Sequence, residues 1–117
     1  ICVFGCGGDR DRGKRAQMGA IASQMSDCVI ITSDNPRNEH PMKIIKDIMR
    51  GIPNSKKTII EADRNDAIHL AVSSASTSDL VLIAGKGHEN YQIIGNQKKF
   101  FDDRDSAQKA LREKINY

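Results

Sequence analysis

The sequence predicts an α/β fold, a Rossmann-like three-layer sandwich whose sheet is mostly parallel and carries an antiparallel hairpin at its edge. Short apolar or β-branched runs alternate with helical stretches along the chain, the pattern of βαβ units with right-handed crossovers. These runs are continuous rather than alternating, as expected of strands covered on both faces. Near the end, two strand-like pieces flank a Gly and Asn turn, the signature of a hairpin.

The strands are read at Ile1 to Phe4, Cys28 to Thr32, Thr58 to Ile60 and Leu80 to Ala84. Between them, Lys14 to Met25 places Met18, Ile21, Ala22 and Met25 on one helical stripe, which should face the core. Pro41 to Met49 repeats the pattern with Ile44, Ile45 and Ile48; Pro41 suits a first turn and Gly51 a stop. Asp63 can cap a third helix, Asp63 to Ala75, with Ala67, Ile68, Ala71 and Val72 on one face. The hairpin is Tyr91 to Ile94, a turn at Gly95, Asn96 and Gln97, then Lys98 to Phe101. A final helix, about Arg104 to Ile115, spaces Ala107, Leu111 and Ile115 for the core.

The chain has 117 residues, the size of one domain. Its net charge of +3, from 18 basic and 15 acidic residues, is spread along the sequence, which points away from nucleic acid. Only Phe4, Tyr91, Phe100, Phe101 and Tyr117 are aromatic, too few for a base-stacking surface. Cys2, Cys6 and Cys28 form no Cys-x-x-Cys pair, so a disulfide framework and a zinc site are not expected, and a reducing cytoplasm fits. No apolar stretch approaches the roughly 20 residues of a membrane span. Because Ile1 already lies in an apolar run, further domains are expected upstream; a monomer is expected.

The first loop, Gly5 to Arg15, approaches two phosphate-binding fingerprints and satisfies neither. Arg10 stands where the dinucleotide pattern needs glycine, and Arg15 replaces the Walker hydroxyl that would bind magnesium. Glycine amides and a helix N-terminus still favour an anion, with Lys14 and Arg15 as possible contacts; a tight turn with solvated charges is the alternative. Cys6 and the three histidines, His40, His69 and His88, lack the neighbours of a nucleophile or a metal site, and no metal ligand is assigned. The acidic run Asp102, Asp103 and Asp105 reads as a helix start favoured by the dipole.

Two further loops carry the main functional signal. Asp34-Asn35-Pro36-Arg37 follows the second strand, and Gly85-Lys86-Gly87-His88-Glu89 follows the fourth. Loops after adjacent parallel strands converge beyond their carboxyl ends. One supplies a guanidinium that can fork onto a carboxylate, the other a carboxylate that can take an ammonium. Such a pair suits a zwitterion, and an amino acid is the simplest one.

Taken together, Val3 to Asp11 with Gly13-Lys14-Arg15, Thr32 to Arg37, Ile83 to Glu89 with Tyr91-Gln92, and Phe101 to Arg104 resemble the Mur ligase family across essentially the whole chain. Ala16-Gln17 departs from the Pro-Leu common in relatives, at the helix start rather than the pocket. The resemblance implies a C-terminal, amino-acid-binding domain over residues 1–117, with N-terminal and central ATP-binding domains outside this chain. It implies an ATP- and Mg2+-dependent amide-forming reaction of peptidoglycan synthesis in the bacterial cytoplasm, with the nucleotide and metal held by those other domains. The Asp-Asn-Pro-Arg form of the loop marks members that add meso-diaminopimelate to a UDP-MurNAc-dipeptide. By the same resemblance Arg10, Asp34, Asn35, Arg37, the backbone of Gly85, and Glu89 contact the diaminopimelate, none of them as a bond-making group. A stand-alone anion-binding module and a lysine-adding ligase are the competing readings; Arg37 argues against the latter.

Overall fold

The computed structural model describes residues 1–115. Four strands, β1 (Cys2–Phe4), β2 (Val29–Ile31), β3 (Thr58–Ile60) and β4 (Leu82–Ile83), form one parallel sheet in the order β3-β2-β1-β4. Val3 pairs with Ile30 on one side and Ile83 on the other, while Ile30 pairs with Ile59. Four helices join and cover them: α1 (Gly13–Met25), α2 (Pro41–Met49), α3 (Arg64–Ser74) and α4 (Asp103–Ile115).

The pleat assigns the layers, because successive side chains of a strand point to opposite faces. Cys2, Phe4, Val29 and Ile31 enter a core with Ile44, Ile45 and Ile48 of α2. Val3, Cys28 and Ile30 enter a second core with Ala67, Ile68, Ala71 and Val72 of α3 and Ala110 of α4. The three-layer sandwich follows, with both faces of β1 and β2 buried. The outer strands are wetter than expected: Ile60 and Leu82 are exposed, and the run 80–84 contributes only two strand residues.

Helix ends follow their sequence signals. Pro41 opens α2, His40 Nδ1 accepts from Met42 N at 3.1 Å, and Gly51 N closes on Ile48 O at 3.1 Å. Asp63 Oδ1 caps α3 through Asp66 N at 2.9 Å. Two amphipathic readings are corrected. α1 buries Arg15, Gly19 and Ser23; of its predicted stripe only Ala22 packs on the core, while Met18, Ile21 and Met25 are exposed, Met25 to 83%. α4 buries Asp103, Ser106 and Ala110, with Ala107 packed at the edge and Leu111 and Ile115 exposed. In α1 the reason is close approach: a Cβ on Gly19 would lie 2.3 Å from Ile48 O, so only glycine lets α1 and α2 pack this tightly.

The hairpin, β5 (Tyr91–Ile94) and β6 (Gln97–Phe100), forms a two-stranded sheet of its own. It joins the body through an isolated bridge between Arg37 and Ile94 rather than by extending the edge of the parallel sheet. Tyr117 lies outside the described residues.

Candidate functional site

β2, β1 and β4 are neighbours in the sheet, so the loops that leave their carboxyl ends meet. The first loop packs directly on the second: Gly8 N donates to Asn35 O at 2.7 Å, and a Cβ on Gly8 would sit 1.8 Å from Pro36 O. Asp9 closes the other side, its backbone N donating to Glu39 Oε1 at 2.8 Å and its Oδ2 accepting from Asn38.

Arg37 occupies the left-handed region, with φ of 52°. The hairpin holds it there: Arg37 N donates to Ile93 O at 3.0 Å, and Gly95 N donates to Arg37 O at 2.6 Å. Its guanidinium folds back over the first loop, Nη1 donating to Gly8 O at 2.9 Å. Arg10 shares that surface, since a Cβ on Gly7 would meet Arg37 Nη1 at 2.9 Å and Arg10 Cγ at 3.4 Å. Arg10, Lys14, Asp34 and Gly85 line one open hollow of about 340 Å3. A larger hollow, of about 550 Å3, lies at the opposite, amino ends of the strands beside Ile1, Cys28 and Leu80, away from the ligand-binding end of such a sheet.

Sequence reasoning missed the residue at the centre. Lys86 has a side chain 0% exposed, and its ammonium lies 2.8 Å from Asp34 Oδ1 and 3.8 Å from Glu89 Oε1. It donates to Asn35 Oδ1 at 3.1 Å and to Tyr91 O at 2.7 Å. Asp34 Oδ1 meets Lys86 as an ion pair off the hydrogen-bonding angle and is buried without a hydrogen bond of its own. Asn35 is buried, its amide oxygen also accepting from Ile93 N at 2.9 Å, so that oxygen braces the loop. Glu89 keeps its side chain 35% exposed, and neither it nor Arg37 is among the residues lining the hollow of about 340 Å3. Arg37 and Glu89 thus belong to one connected cluster, through Asn35 and Lys86. A lysine between two glycines, flanked in space by acidic loop residues, was the available signal.

A second buried cation fixes the frame. Arg64 forks onto Asp103 with Nε and Nη2 both at 2.8 Å, and donates to Ser33 O at 3.0 Å and Ala84 O at 3.2 Å. Those carbonyls immediately precede Asp34 and Gly85. Arg64 therefore ties the two loops together just before Asp34 and Gly85, and Lys86 ties them just after. Asp103 is the partner that makes this possible, a role beyond the helix start read from the sequence.

Arg15 is placed differently from the anion contact expected of it. Its side chain is 1% exposed, and its guanidinium binds Glu39 through both Nη atoms, at 3.0 and 2.9 Å, and also Asp47 at 2.9 Å and Gly7 O at 3.0 Å. This bidentate pair pulls the Glu39 carboxyl down to about 2. The same hydrogen bonds raise Arg15 further. Lys14 remains exposed at the hollow, while Asp11 Oδ1 takes the Gly13 N–H at the start of α1 at 2.9 Å. Burial pushes the Cys6 thiol up to about 11, and its Sγ lies 3.6 Å from Met18 Sδ, so Cys6 packs rather than reacts.

A family profile described as Mur ligase, glutamate ligase domain, matches residues 1–87. The chain belongs to the Mur ligase family. It is 57% identical over 115 residues to UDP-N-acetylmuramoyl-L-alanyl-D-glutamate–2,6-diaminopimelate ligase of Thermosynechococcus vestitus, covering 98% of this chain and 23% of that protein. The Synechococcus sp. strain WH7803 protein of the same name is 59% identical over 112 residues, covering 96% and 22%. A solved structure of a ligase with that name superposes with a TM-score of 0.93 at 44% identity, over 97% of this chain and 24% of that one. The present chain therefore spans about a quarter of the length of the Mur ligases it matches. Arg10, Arg37, Gly85 and Lys86 fall within the stretch the profile matches, and Glu89 lies two residues beyond it.

Proposed function

We propose that this chain is the amino-acid-binding domain of an ATP-dependent ligase that adds meso-diaminopimelate to UDP-MurNAc-L-Ala-D-Glu in peptidoglycan synthesis. The supporting observation is the cluster in which Arg37 and Glu89 are linked through Asn35 and Lys86 at the carboxyl ends of β2 and β4. Diaminopimelate ends in a carboxylate and an ammonium on the same carbon, and Arg37 and Glu89 are the groups that complement them. Lysine lacks that carboxylate and would leave Arg37 unpaired, which is how a polar site rejects a near-isostere. Asp34, Asn35, Arg10 and the Gly85 backbone complete the grip, with Lys14 at its rim.

The domain's contribution is orientation. It presents the free amine of diaminopimelate to the D-glutamate carboxylate, so that an amide forms between two held partners. ATP and Mg2+ supply the activation of that carboxylate, and the first loop does not fit them. The Arg15 side chain carries no hydroxyl and is committed to Glu39 and Asp47. Both are therefore assigned to the remainder of the longer protein, whose closure onto this domain would complete the site.

The test is steady-state kinetics of the longer protein carrying Arg37→Ala or Arg37→Lys. The KM for diaminopimelate should rise on the order of ten- to a hundredfold, the equivalent of a lost charge-assisted hydrogen bond, and discrimination against lysine should fall. An unchanged KM together with unchanged discrimination would refute the assignment.

A further inference from the structure

Lys86 is the member of this cluster whose charge is wholly removed from solvent, while Asp34 beside it lines the hollow and Glu89 is part-exposed. Burying an ammonium is unfavourable unless opposite charge and acceptors compensate it. Here the compensation comes from three separate segments: Asp34 and Asn35 after β2, Glu89 from its own loop, and the Tyr91 carbonyl at the start of the hairpin. The Tyr91 ring adds a face 5.8 Å from the ammonium. Gln92 Nε2 donates to Asp34 O at 2.7 Å, so the hairpin and the acidic loop are joined on both sides of the lysine.

We propose that Lys86 is a positioning residue of the amino-acid site, acting through Asp34, Asn35 and Glu89 rather than by touching the ligand. Asp34 and Glu89 both reach the Lys86 ammonium and, carrying like charge, would repel without a cation between them. Lys86 offsets that repulsion from beneath. Both carboxylates are then held beside the ammonium, and the Asn35 carbonyl stays turned inward so that the backbone delivers Arg37 to its place. The inference rests on the diaminopimelate reading above.

The experiment uses the longer protein with Lys86→Met, of similar length and without charge. The KM for diaminopimelate should rise on the order of ten- to a hundredfold, since misplacing binding groups by about an ångström is felt at that scale. The KM values for ATP and the UDP-linked dipeptide should stay within twofold. A purely structural lysine predicts something else: a smaller folded fraction lowers apparent kcat and leaves the diaminopimelate KM where it was. Where Lys86→Met does not accumulate as folded protein, Lys86→Gln, which keeps a donor for Asn35 and Tyr91 but no charge, carries the same measurement. An unchanged diaminopimelate KM in the folded variant overturns the role of Lys86. Absence of diaminopimelate-dependent ADP release in the unmutated protein overturns the reading on which it stands.

Discussion

Three buried cations, Arg15, Arg64 and Lys86, do most to shape the site, and each sits in a sequence context that reads as surface. The partners of the two arginines lie far along the chain, Glu39 and Asp47 24 and 32 positions from Arg15 and Asp103 39 from Arg64, and Asn35 is 51 from Lys86. A periodic pattern reveals apolar faces, and a lone charge whose counter-ion is distant leaves no such trace. The glycines and the Asp-Asn-Pro-Arg loop were legible because turn chemistry is local. The energetic consequence is large for Arg64. Its replacement by leucine would leave the Asp103 carboxylate and two carbonyls without their donor, and chemical denaturation should show a loss of about 3–5 kcal/mol. A loss below about 1 kcal/mol would show that solvent replaces the pair. Adding Asp103→Leu should recover part of the deficit, because the two sites share one interaction.

Among the elements, α1 separates hydrophobic pattern from packing. Its Met18, Ile21 and Met25 stripe is the more conspicuous in sequence, yet Gly19 is the position that meets α2, with Ser23 buried on the same side of the helix. Gly19→Ala would push a methyl group against the Ile48 carbonyl and should cost about 1–3 kcal/mol, as overpacked cores do. Met25→Gln, on the face the pattern favours, should change stability by less than about 0.5 kcal/mol. Equal effects in paired melting curves would contradict the packing described. The strands of the inner sheet and helices α2 and α3 fell within a residue or two of their expected bounds, since their apolar faces coincide with the buried ones. The hairpin was legible as a hairpin; its attachment to Arg37 was not, because that contact is made by backbone groups which any sequence carries.

For the molecule as a whole, the Glu39 carboxyl links stability to acid. Its folded pKa of about 2 lies below the ordinary glutamate value of about 4.3, so the unfolded chain binds the proton more tightly. The stabilisation is fully present above about pH 4.3 and is lost as pH falls toward about 2. Denaturation series at several pH values should show that acid limb, and Glu39→Gln should flatten it; an unchanged limb would assign the acid sensitivity to other carboxylates. The fold class and layer order were readable from length, alternation and pleat, while the charge lattice that sets the loops emerged only in three dimensions. One further consequence concerns Arg37, an arginine held where a backbone prefers glycine or asparagine. If Arg37 holds the ligand as proposed, heat resistance and ligand choice pull this position in opposite directions. A library screened only for survival of heating should drift there toward glycine or asparagine, and the same library screened for growth of a wall-building cell should return to arginine.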